Sequence, residues 1–278
     1  MQWPDSVESE ERKVKNFILR LGIFCFMFLL CAVVTAEDWK IIKGEHFQVY
    51  YIDNKKFAGE VLSHAEKYYD KIAADLGYSR YDNFWRWDNR AKIYLYRTHE
   101  DFILATGKNP WIYGTVKYYE KEIISYEWSA GLLDLLLPHE IAHLIFRDFV
   151  GFPDGDERGI PLWLDEGVAQ WEEEERRKDS IETVKKLIRE KSYIPIAELM
   201  DLDVRTKSDR ALSNKFYAQA VTLVGYMIKE YGPSKFNLFC RQLRDGKSVN
   251  AALSFVYTNS MPDIKSLEEK WIKYYAGG

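Results

Sequence analysis

Leu135-Leu136-Leu137-Pro138-His139-Glu140-Ile141-Ala142-His143-Leu144-Ile145-Phe146 is the stretch around which the rest of the chain is read. On an α-helix, residues four apart lie one above the other. His139 and His143 therefore project from one face and can bind a single metal ion at about 2.0–2.1 Å. Glu140 sits beside the pair but off the metal line, where it can take a proton from a water. The leucines, Ile141, Ile145 and Phe146 give this helix a mostly apolar surround, as at the floor of a cleft. Two buried histidines flanking a glutamate are costly without a partner. A metal supplies one; a hydrogen-bonded histidine pair in a core is the alternative. Pro138 removes a hydrogen bond and clashes with the preceding turn if it lies deep in a helix, at about 3 kcal/mol. The helix is thus expected to kink at Pro138 or to start only just upstream.

The second informative stretch is Pro161-Leu162-Trp163-Leu164-Asp165-Glu166-Gly167-Val168-Ala169. A catalytic site of the two-histidine kind needs a third protein ligand and leaves one position for water. Glu166 follows His143 across a turn-rich segment, Gly151-Phe152-Pro153-Asp154-Gly155, that can reverse the chain. Pro161 and Trp163 start a second helix, and a carboxylate in its first turn can face back toward the histidines. Gly167 permits close helix packing. Alternatively, Glu166 is a helix N-terminal acid stabilised by the dipole.

Outward from these two stretches, the chain changes character near residue 129. Before it, alternation predicts strands at 47–52 and 91–96, and one or two strands within 113–126 with a turn near Glu120. The charges in that last region suit an edge strand. Helical periodicity covers 58–76, closed by Gly77, and a short helix is expected at 100–105. After Gly131, apolar residues recur at three- and four-residue spacing near 132–149, 162–177, 180–191, 212–231, 234–244, 248–257 and 263–275. The run Glu172 to Glu175, followed by Arg176, Arg177 and Lys178, reads as a solvated helix end. His46, His64 and His99 lack partners at ligand spacing and read as packing or surface residues.

Charge and cysteines narrow the possibilities further. A formal net charge of -4 gives no bulk basic field to hold nucleic acid. At the N-terminus, Arg12, Lys13, Lys15 and Arg20 precede an apolar run from Leu21 to Val34. That run falls short of the about 20 residues of a membrane span but suits the core of a signal peptide. Val34-Thr35-Ala36 places cleavage after Ala36, so residues 1–36 are expected to export the protein to a periplasmic or extracellular location. An uncleaved membrane anchor over 17–36 is the alternative. Leu30 is too large for the residue before a lipidated Cys31. Only Cys240 lies beyond this segment, so the mature chain contains no intramolecular disulfide. Residues 37–278 then form one domain, with an α/β part at 37–130 and a helical part at 131–278.

His139-Glu140-x-x-His143 followed by Pro161-x-Trp163-Leu164-x-Glu166-Gly167-x-Ala169 resembles the gluzincin zinc metallopeptidases, and specifically the bacterial peptidase MA-like domain proteins. Trp111-Ile112-Tyr113-Gly114, Asn214-Lys215-Phe216-Tyr217-Ala218-Gln219-Ala220 and Ser266-Leu267-Glu268-Glu269-Lys270-Trp271 are looser matches to the same family. The resemblance implies one Zn2+ ion held by His139, His143 and Glu166, with Glu140 as general base and Tyr217 as a donor to the oxyanion. It implies an α+β, zincin-like fold: a small mixed sheet whose edge strand lies over the active-site helix, then a mainly helical C-terminal half. It implies hydrolysis of peptide bonds in a peptide or protein substrate. The competing reading is a weakly active or inactive binding module of the cell envelope. Related zinc peptidases often place a carboxylate one turn beyond the third ligand to orient a histidine. That position here is Gln170, with Asp134 and Asp165 as other candidates for the role.

Overall fold

Three of the expected strands pair in one sheet, and their alternation explains why. In a computed structural model, which describes residues 38–78, 85–128, 131–150 and 160–277, Phe47–Tyr51 (β2) and Ala91–Tyr96 (β3) bury every second side chain. Val49, Ile93 and Ile123 sit in register across β2, β3 and β5 (Glu122–Tyr126). These inward-facing residues are buried completely, each worth about 1.5–3 kcal/mol of transfer from water. Lys40–Lys43 (β1) pairs antiparallel with β2, and Gly114–Lys117 (β4) pairs antiparallel with β5. The sheet order is β1-β2-β3-β5-β4, so the central pairs are parallel and β4 is an edge. The turn between β4 and β5 passes Lys121 at φ 52°.

Helix α1 (Lys55–Asp75) connects β2 to β3 and packs on both the sheet and the metal-motif helix. Asn54 caps it by accepting from the Phe57 amide at 3.0 Å. Its Glu66 reaches back to the start of β2. There the carboxylate accepts from the backbone amides of His46 and Phe47 at 3.0 and 3.3 Å, and from the His46 ring at 2.7 Å. The His46 ring stacks on Tyr69, so this histidine does have a packing role. A short helix, α2 (His99–Thr106), lies against β5.

The helical half begins with one π-helical turn, Leu132–Leu136, followed by α3 (Leu137–Val150). The π turn runs into α3 without a break, with the Leu137 amide bonded to the Leu132 carbonyl five residues back, so Pro138 lies inside a continuous helix directly after this widened turn. The expected start just upstream of Pro138 is not what the structure shows: the helix begins at Gly131 and accommodates the proline by the π turn before it. Next come α4 (Leu162–Trp171) and α5 (Glu174–Arg189). The remaining helices are α6 (Ile196–Leu199), α7 (Arg210–Tyr231), α8 (Pro233–Arg244), α9 (Val249–Val256) and α10 (Ile264–Ala276). Helix α7 is buried on nearly every side from Phe216 to Ile228 and packs against α4, α5, α8 and α10. Gln219 inside it satisfies both the amide and the carbonyl of Ile194, as a buried amide must. Cys240 is buried in α8, and burial pushes its thiol pKa well above the usual range.

Two further expectations are corrected. The helices foreseen at 162–177 and 180–191 instead break at Glu172–Glu173, where Glu173 is extended. Glu172 and Glu173 are also not solvated: their relative exposures are 5% and 1%. Glu172 pairs with Lys71 of α1, and Glu173 turns toward α3. Only Glu174 and Glu175 of that run are exposed. The expected signal segment and the loop at 151–155 lie outside the described residues. Among the described residues, no helix is long and apolar enough to cross a membrane.

Candidate metal centre

His139 and His143 emerge from the same face of α3, and their Nε2 atoms lie 3.1 Å apart. What holds them there is a pair of carboxylates, one from the first turn of α4 and one from the α4–α5 joint. His143 Nδ1 donates to Asp165 Oδ1 at 2.9 Å, and His139 Nδ1 donates to Glu173 Oε1 at 2.8 Å. A carboxylate only accepts, so each ring carries a proton on Nδ1 and turns its Nε2 toward the other ring. Two ring nitrogens this close need a proton or a metal ion between them. A tetrahedral ion bonded to both nitrogens at about 2.0–2.1 Å would set them about 3.3 Å apart. The separation found is close to that, so the donor set fits a small divalent metal.

The electrostatics agree. Burial alone would lower the His143 pKa, but Asp165, helped by Glu166 and Glu140, raises it to about 9. Burial would raise the Asp165 pKa, but His143 and Arg147 hold it well below the usual carboxylate range. The pocket thus favours positive charge at the imidazoles, whether a proton or a metal.

Glu140 joins the two histidines in one cluster whose ligand atoms all lie within 4.8 Å of one another. Glu166 Oε1 lies 3.9 Å from His143 Nε2, and the Glu166 side chain is only 18% exposed. It faces the histidines from the first turns of α4. It is not among the three residues whose ligand atoms cluster within 4.8 Å. Gly167 lets α4 come this close to the core: a Cβ there would stand 2.6 Å from the Ala220 carbonyl of α7. Tyr217 of α7 is half-buried. Its hydroxyl is pushed above the usual tyrosine range by burial first and then by Glu166, which places phenol and carboxylate in the same neighbourhood.

Gln170 does not take the orienting role. Its side chain is buried, and its Oε1 has no hydrogen-bond partner among the described residues. Glu173, one turn further on, occupies His139 instead. Of the two acids named as alternatives, Asp165 orients His143, and the other histidine goes to Glu173 rather than to Asp134. Glu173 escaped the sequence reading because an acidic run usually marks solvent. No regular spacing marks it, because the helix ends before it and Glu173 is extended.

Arg147 was also missed. It continues the row of His139 and His143 by one more turn. Its guanidinium grips Asp165, with Nε at 3.2 and 3.1 Å from the two oxygens and Nη2 at 2.5 Å from Oδ2. Tyr118, from the β4–β5 turn, lies over that guanidinium at 3.6 Å and presents an edge contact to His143 at 6.2 Å. Glu173 has its own arginine, Arg176, at 3.0 Å.

The edge strand spans this same helix. A Cβ on Gly114 would strike Leu136, one turn before the histidines, and Tyr118 covers Arg147 beyond them. Strand β4 therefore runs along α3 past the metal centre. A family model described as the peptidase MA superfamily matches residues 84–277. No curated protein matches the chain.

Proposed function

Because the chain belongs to the peptidase MA superfamily, we propose that it is an exported, gluzincin-type zinc peptidase. In this reading His139, His143 and Glu166 hold one zinc ion and Glu140 is the general base. The main support is the pair of Nε2 atoms 3.1 Å apart, with both Nδ1 positions occupied by carboxylates. Zinc bound there supplies a Lewis acid for a substrate carbonyl and makes a water acidic enough to attack at neutral pH. Glu140 takes the proton of the attacking water and returns it to the leaving nitrogen. Tyr217 keeps its hydroxyl proton at neutral pH and donates it in a hydrogen bond to the oxyanion. The open edge of β4 accepts an extended peptide by main-chain hydrogen bonds. Residues 1–36 direct export, or 17–36 anchor the protein to the membrane.

The test is peptide hydrolysis by the full-length protein, with and without a chelator, beside Glu140→Gln. The variant is expected to keep its metal and lose about 10²–10⁴-fold in turnover. Wild-type turnover in the variant, or hydrolysis indifferent to the chelator, refutes the mechanism. Metal uptake by the wild type without cleavage of any peptide points to a binding module instead.

A further inference from the structure

The row His139, His143, Arg147 on one face of α3 meets the first turn of α4 and the α4–α5 joint in a repeated arrangement. Each histidine donates to a carboxylate, and each carboxylate is held in turn by an arginine: His143–Asp165–Arg147 and His139–Glu173–Arg176. The first of these is the better enclosed. His143 and Asp165 are buried, the Arg147 side chain is 15% exposed, and the Tyr118 ring covers the guanidinium. Asp165 precedes the proposed zinc ligand Glu166, so one helical turn carries two carboxylates beside His143, one at Nδ1 and one nearer Nε2.

We propose that Arg147 is a positioning residue that assigns these two carboxylates their separate jobs. Asp165 Oδ1 is engaged by both the His143 ring and Arg147 Nε, and Oδ2 by Nε and Nη2 of the same guanidinium. A carboxylate held from two directions cannot swing into the metal position. It is left to fix the His143 ring with its Nε2 toward the metal, and Glu166 remains free to ligate. A planar fork does this and a point charge does it less well, because only the fork fixes the carboxylate's orientation. The β4–β5 turn, through Tyr118, seals the pair from water.

This rests on the zinc reading above, and the experiment separates the two. Full-length wild type, Arg147→Lys and Arg147→Met are stripped of metal and titrated with zinc against a chromophoric chelator. Each is also titrated with Co2+ to record the visible bands, which report the number and type of ligands. Arg147→Met is expected to bind zinc about 10–100-fold more weakly and to show altered cobalt bands as Asp165 enters the coordination sphere. Arg147→Lys is expected to fall between it and the wild type. If Arg147→Met does not fold, Arg147→Lys decides alone. Should Arg147→Lys match the wild type in zinc affinity and cobalt spectrum, even with a lower melting temperature, Arg147 is merely structural and the proposal is overturned. A wild type that takes up neither metal overturns both this proposal and the zinc reading.

Discussion

At the scale of single residues, the centre is built in layers, and the outer layer was the harder to read. His139, Glu140 and His143 declare themselves by spacing, because four residues make one helical turn and the chemistry needs both imidazoles on one face. Glu173 does not. Its neighbours are acidic and two of them are solvated, and only the break at Glu172–Glu173 turns it inward toward His139. A long side chain at a bend can reach a partner that regular helical spacing does not predict. Glu173→Ala should therefore weaken metal binding by about 10–100-fold without removing a ligand. Chelator competition measures it, and an unchanged affinity means that His139 holds its orientation unaided.

At the scale of elements, strands β2, β3 and β5 were legible because their buried residues alternate with less buried ones or fill the strand centre, and most helices because a narrow buried stripe recurs at three- and four-residue spacing. Strand β1 was not. Three of its four residues are exposed, so no alternation marks it, and its place follows from pairing with β2 alone. Helix α6 is a single turn, too short to show a period. The contact that matters most for the centre is α4 on α7, where Gly167 meets the Ala220 carbonyl and Val224. Gly167→Ala forces a methyl into that contact and should cost about 1–3 kcal/mol. The same shift would move Glu166, so a lower melting temperature should come with weaker metal binding. Retention of both would show that α4 has room to spare.

For the whole molecule, stability should depend on pH at two ends. Glu66 is held below its ordinary value of 4.5, its burial outweighed by hydrogen bonds from His46 and Phe47. A depressed carboxylate contributes stability above its unfolded pKa and loses it as the pH falls through the lower folded one. Asp165 acts in the same direction. His143, raised from 6.5 to about 9, behaves oppositely: its contribution is complete below pH 6.5 and is lost as the pH rises through about 9. The melting temperature of chelator-stripped protein should therefore fall below about pH 4.5 and again as the pH climbs above about 6.5. Zinc should remove much of the alkaline limb, because a metal replaces the proton at His143. An alkaline limb identical with and without zinc would show that the ion does not bind at that imidazole.

Strand β4 is only four residues long. One open edge of that length offers an incoming segment about four backbone hydrogen bonds, each worth about 0.5–1.5 kcal/mol. On the peptidase reading, so brief a handhold is too weak to pry a tertiary structure apart. The enzyme would be confined to chain already loose: frayed termini, linkers and damaged proteins, with compact neighbours passed over. Casein-like unstructured polypeptides should be cut and a disulfide-tight globule left intact until it is reduced.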